Sequence, residues 1–142
     1  MNAAPVIAIV DNDPSVRRSL LRVVTSAGYE AVAFASAREL LVWLSVGRAA
    51  CLVLDIHLDG TSGFELQERL AVPVIFITAH NDATTRARIE KSTAAAHLMK
   101  PFDAKTVLDA IRRVTAGDRL AQGPIGPPTE VRETGSTDKE GQ

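Results

Sequence analysis

One cysteine, one tryptophan, one tyrosine and four phenylalanines are all that 142 residues hold of the side chains that staple or bulk out small folds. The single cysteine, Cys51, lies inside an apolar run, which excludes an internal disulfide and fits a reducing compartment. Charge of one sign is also missing. Sixteen basic against seventeen acidic residues give a net charge of −1, without the basic footprint that nucleic acid would require. No apolar stretch approaches the roughly 18 residues of a membrane span. The opening Met-Asn-Ala-Ala-Pro lacks the basic region of a secretory leader, so a cytoplasmic protein is expected, without nucleic-acid or membrane partners. No internal repeat stands out, and the length suits one domain with one core.

What is present is a set of short apolar runs that all end on polar residues. Val6 to Val10 leads into Asp11-Asn12-Asp13, Cys51 to Leu54 into Asp55, Val74 to Ile77 into Thr78, and Ala94 to Met99 into Lys100-Pro101. Such runs, spaced by helical patterns, read as strands of a parallel sheet buried on both faces. A further run, Tyr29 to Ala35, alternates as a half-exposed edge strand does. The fold class is therefore α/β, a doubly wound five-stranded parallel sheet with helices on both faces.

The helices have recognisable ends. Pro14 follows Asp13 at a helix start, and Gly28 stops that helix. Its apolar stripe is Val16, Leu20, Val23, Val24 and Ala27, with Arg17, Arg18 and Arg22 expected mostly toward solvent. Ser36 and Glu39 are spaced as a capping box for a second helix, which Gly47 closes. A loop with Gly60 and Gly63 leads to a short helix from Phe64 to Leu70. The helix over Ala83 to Thr93 offers the core little beyond Ala83, Ala87 and Ile89, so it should be weakly held and able to move. Asp103 caps a last helix whose inner stripe is Val107, Leu108, Ile111 and Val114. Trp43 and Cys51 read as core residues. The domain should span 1–117. Beyond it, Gly123, Pro124, Gly126, Pro127, Pro128 and Gly135 interrupt a polar stretch, so 118–142 reads as a disordered tail too short for a helix-turn-helix effector domain.

Ligands of doubly wound sheets gather beyond the carboxyl ends of the strands. Asp11, Asp13, Asp55, Thr78 and Lys100 would then share one mouth. Mg²⁺ takes one or two carboxylates and keeps water or substrate oxygens for the rest of its octahedral shell. A carboxylate can attack phosphorus once a cation screens the two anions. An ammonium and a hydroxyl can hold the new phosphate. Taken singly, each residue has a plain structural reading: Asp13-Pro14 is a good helix start, and Asp55 could be a turn acid. The ordered set is what carries weight.

That set resembles the receiver domain of bacterial two-component response regulators over about Val6 to Ala116. The matching pieces are Ile9 to Arg17, Leu54-Asp55 with Ser62-Gly63-Phe64-Glu65-Leu66, Ile77-Thr78-Ala79-His80 and Lys100-Pro101-Phe102. The resemblance implies strand order 2-1-3-4-5, Asp55 as phosphoacceptor, and Asp11 in the acidic pair that holds Mg²⁺. It also implies the His57 carbonyl as a metal ligand, Thr78 as switch hydroxyl, and Lys100 as phosphate-binding lysine before a proline that is usually cis. The partners implied are a histidine kinase or histidine phosphotransfer protein and a downstream protein target. The protein would be a monomer or a phosphorylation-dependent dimer, signalling by contact and not acting as an enzyme.

Several positions depart from the family pattern. Its second acid falls on Asn12, which can coordinate but brings no charge, so Mg²⁺ should bind weakly unless Asp13 compensates through water. The switch aromatic falls on His97, for which a buried neutral imidazole is the plain reading and a moving switch the sharper one. Thr93 stands where a small turn residue is usual, and the link between the third helix and fourth strand is short. His57 and His80 read as surface histidines flanking the site. Asn12 and His97 leave open a phosphorylation-independent adaptor of the same fold. A haloacid-dehalogenase-type phosphatase would need a carboxylate at His57, and a flavin module would not place acids after its first strand.

Overall fold

The computed structural model describes residues 5–58, 61–79, 82–92 and 94–121. Five strands, β1 (Val6–Val10), β2 (Glu30–Phe34), β3 (Cys51–Asp55), β4 (Val74–Thr78) and β5 (Ala96–Met99), form the main sheet. All pair in parallel in the order β2-β1-β3-β4-β5, as expected. Between β3 and the next helix, His57–Leu58 pairs antiparallel with Thr61–Ser62, a two-residue ladder where the sequence suggested only a loop.

The helices are α1 (Pro14–Ser26), α2 (Ala37–Leu44), α3 (Gly63–Arg69), α4 (Ala83–Lys91) and α5 (Ala104–Ala121). Because strand side chains alternate between faces, the sheet sorts its apolar residues into two cores. Val10, Leu52, Leu54 and Phe76 meet α2, α3 and α4 through Leu40, Phe64, Leu66 and Ile89. Ile7, Ile9, Val53, Ile75 and Ile77 meet α1 and α5 through Leu20, Val24, Val107 and Ile111. Both faces are covered, so the central strands have no polar side chain to show until their carboxyl ends.

Some details differ from expectation. Gly28 does end α1, with φ +96°, a left-handed conformation that glycine alone adopts without strain. The Ser36 cap forms only half its box: Ser36 accepts the Glu39 amide, while Glu39 reaches the Ala35 amide instead of that of Ser36. The reciprocal box closes at Ser62 and Glu65, at the start of α3. Trp43 is only half-buried, its ring tilted against Phe34 at 5.8 Å, whereas Cys51 is fully buried. In α5 the expected Val107, Ile111 and Val114 do pack inward, joined by Ala110 and Thr115, with Leu108 at the margin. That helix continues to Ala121; the rest of the expected tail lies outside the described residues.

Helix α4 is thinly anchored, by Ile89 as the sequence suggested but not by Ala83 or Ala87. Ala83 and Ala87 are exposed, and the helix buries Thr85 and Ile89, one turn apart. A large apolar side chain is worth about 1.5–3 kcal/mol when buried, and α4 has one. Arg88 adds a contact over the Phe64 ring, 4.3 Å from its centroid.

Candidate functional site

The site opens at the carboxyl ends of β1 and β3, where the chain order reverses about the sheet. Asp11 follows β1 directly and is completely buried. Its amide extends the ladder to the Phe34 carbonyl at 3.1 Å, and its Oδ1 accepts the Asp13 amide at 2.8 Å. Asp55 ends β3, with Oδ1 accepting the His57 amide at 2.9 Å. Lys100 arrives from β5, its amide donating to the Thr78 carbonyl at 2.8 Å ahead of a cis Lys100–Pro101 peptide.

The Lys100 ammonium sits between the two acids. Nζ donates to Asp55 Oδ2 at 3.2 Å and lies 2.9 Å from Asp11 Oδ2. The second contact is an ion pair, and Lys100 is the partner of this buried Asp11 oxygen. Burial pulls the Lys100 pKa down, but the adjacent Asp11 and Asp55 outweigh it and hold it above the ordinary 10.5. A lysine raised by folding contributes stability that is fully present below 10.5 and lost as pH climbs through the folded value. At neutral pH the bridge is intact.

The other expected residues are spread around this centre. Thr78 is buried at the end of β4, next to the strand that delivers Lys100. Asn12 and Asp13 lie exposed on the rim. Asp13 caps α1: its Oδ1 accepts the Ser15 amide at 2.9 Å and the Ser15 hydroxyl at 3.0 Å. Chiefly through that amide bond, its carboxyl is held below the usual range. His57 is exposed, as expected. His97 is exposed too, which corrects the buried imidazole. It lies opposite Phe76 on β5, three residues and about 10 Å of strand from Lys100. The thin cover from α4 leaves that edge of the sheet open. His80 and Thr93 lie outside the described residues.

Two contributors escaped sequence reasoning. A Cβ on Gly63 would stand 2.8 Å from the Asp55 carbonyl oxygen and 3.0 Å from Ile56 Cα, so only glycine lets α3 start against the strand end that bears Asp55. The motif around it was visible, but not the close approach. Arg17, expected toward solvent, is half-buried and donates from Nη1 to the Asp11 carbonyl at 2.7 Å.

Among the described residues no group of three or more His, Cys, Asp and Glu side chains is placed to hold a metal alone. Two hard carboxylate oxygens do converge on one ammonium. The donor set thus suits a hard cation that keeps most of its own water.

Comparison with known proteins identifies the family. The model of the response regulator receiver domain matches residues 7–112. The chain belongs to the response regulator receiver family. Nodulation protein W of Bradyrhizobium diazoefficiens is 42% identical over 119 residues, covering 80% of this chain and 52% of that protein. Response regulator protein TmoT of Ectopseudomonas mendocina is 35% identical over 112 residues, 75% of this chain and 51% of that one. This receiver chain therefore spans about half the length of these curated relatives. A response regulator receiver protein from Burkholderia phymatum has a solved structure 39% identical, with TM-score 0.72, covering 79% of this chain and 95% of that one. Receiver domains are signalling domains of two-component systems. No helix among the described residues is long and apolar enough to cross a membrane.

Proposed function

We propose that this receiver accepts a phosphoryl group on Asp55 and passes the signal on by protein contact. The donor is the phosphohistidine of a histidine kinase or phosphotransfer protein. A carboxylate oxygen of Asp55 attacks phosphorus, the nitrogen–phosphorus bond breaks, and the imidazole leaves with the bond's electron pair. The observation that carries the reading is the position of Lys100, within 3.2 Å of Asp55 and 2.9 Å of Asp11. Its ammonium is already where charge on the transferred group must be screened, and the Thr78 hydroxyl supports an oxygen of the product.

Asp11 and Asp55 would hold Mg²⁺, with the Asn12 amide oxygen, the His57 carbonyl, and Asp13 through water completing its protein contacts. Bound Mg²⁺ supplies the remaining neutralisation of the phosphoryl oxygens. Asn12 contributes a dipole where a carboxylate would contribute a charge. Asn12→Asp is therefore expected to tighten Mg²⁺ binding about tenfold, worth about 1.4 kcal/mol. It should also lower stability in metal-free buffer, because a third acid joins Asp11 and Asp13 in the turn. Titration followed by amide chemical shifts reads both proteins, and equal dissociation constants would place Asn12 outside the coordination shell.

The output element is α4. It has little burial to hold it, and a switch needs an element whose two states differ by only a few kcal/mol. In the full chain, beryllofluoride with Mg²⁺, a mimic of the phosphoryl group, should slow amide exchange in Ala83–Lys91. Unchanged exchange with Asp55 occupied would reject switching and favour the phosphorylation-independent adaptor.

A further inference from the structure

Arg17 sits one turn into α1, yet its guanidinium folds back over the turn that precedes the helix. Arg18 and Arg22 on the same helix are exposed, whereas Arg17 is half-buried. The bond from Nη1 to the Asp11 carbonyl, at 2.7 Å, is short and charge-assisted. That carbonyl belongs to the planar peptide unit joining Asp11 to Asn12, so holding it sets the plane from which Asn12 departs. The residues on either side are secured by other means. Asp11 Oδ1 accepts the Asp13 amide at 2.8 Å, and Asp13 Oδ1 accepts the Ser15 amide at 2.9 Å.

We infer that Arg17 is a positioning residue for the cation subsite, orienting the Asp11–Asn12 peptide so that the neutral Asn12 amide can stand in for a carboxylate. The inference rests on the reading of Asn12 as a metal contact given above. A carboxylate tolerates misorientation, since it has two equivalent oxygens and a net charge that attracts a cation from any side. A carboxamide has one oxygen, no net charge, and an NH₂ group that repels the metal if turned the wrong way. A site built on Asn12 therefore depends on orientation more than one built on aspartate, and Arg17 supplies it.

Charge and orientation predict opposite effects of removing Arg17. Arg17 is a cation beside an acidic turn, so charge alone says that removing it tightens Mg²⁺. Orientation says that removing it weakens Mg²⁺. In Arg17→Met, studied as the full chain by NMR titration with MgCl₂, binding is expected to weaken about tenfold, the scale of a lost outer-shell partner. Arg17→Lys, which keeps a donor and the charge, should recover most of that loss. In an Asn12→Asp background the sign should reverse, with Arg17→Met tightening Mg²⁺, because charge then outweighs orientation.

A second readout needs no metal. In metal-free buffer the Asn12 and Asp13 amides should exchange faster in Arg17→Met, while α5 amides stay as protected as before and so report an intact fold. Equal or tighter Mg²⁺ binding by Arg17→Met, with Asn12 in place, would overturn the inference. Should the unmodified protein bind no Mg²⁺, the metal reading of the preceding section fails on its own. Exchange at Asn12 and Asp13 then decides whether Arg17 orders the turn, and unchanged exchange rejects it.

Discussion

Asp55→Asn should abolish labelling by acetyl phosphate while leaving the protein folded. The amide cannot attack phosphorus, yet its Oδ1 can still accept the His57 amide that Asp55 now accepts at 2.9 Å. From sequence alone the substitution looks neutral to stabilising, because it removes one of three mutually repelling acids. The position of Lys100 changes that sum. Asp11 Oδ2 and Asp55 Oδ2 lie 2.9 and 3.2 Å from the same Nζ, so they are no more than about 6 Å apart. At an effective dielectric of about 20, their repulsion is worth roughly 3 kcal/mol, and the attraction of Asp55 to Lys100 roughly 5 kcal/mol. Desolvation of the Asp55 carboxylate offsets much of the difference. Stability in metal-free buffer is therefore expected to stay within about 1 kcal/mol of the unmodified protein. Intact-mass measurement after incubation with acetyl phosphate and Mg²⁺ checks the first claim, and urea unfolding checks the second. Full labelling of the variant would remove Asp55 from the proposed role.

Lys100→Met should be the most destabilising single change at the mouth. It leaves two carboxylates close together, one of them completely buried, with the ammonium gone from between them. Breaking a buried pair by deleting one partner costs about 3–5 kcal/mol. The side chains of Lys100 and Asp55 keep 20% and 9% of their exposure, so water relieves part of the cost. A loss of about 2–3 kcal/mol is expected, read as a lower urea midpoint with unchanged slope. Mg²⁺ should restore much of it and bind this variant more tightly than the parent, since no ammonium competes for the carboxylates. An unchanged midpoint in metal-free buffer would mean that Lys100 is not the counter-ion of Asp11 in solution.

The sequence by itself determined which residues meet at the mouth. Strands of a parallel sheet covered on both faces are apolar throughout, so the first polar residue after each run marks the carboxyl end. Asp11, Asp55 and Thr78 were legible for that reason, Lys100 from the Lys100-Pro101-Phe102 piece of the family pattern, and β2 from its alternation. The weakness of α4 was legible as a shortage of apolar residues, as was Ile89, but not the companion it would bury. The phase of a short polar helix is set by how it docks, and docking kept Ile89 inside while choosing Thr85 over Ala83 and Ala87. The same cause exposes His97, whose cover depends on a neighbouring helix and not on its own strand. Only the tertiary structure decided that Lys100 bridges both acids, that Gly63 must lack a side chain beneath Asp55, and that Arg17 turns back to the Asp11 carbonyl. Each is a contact between groups whose separation in space is unrelated to their spacing along the chain, or a rotamer chosen by local partners. Periodicity carries information about faces, and none about which charged tips find one another.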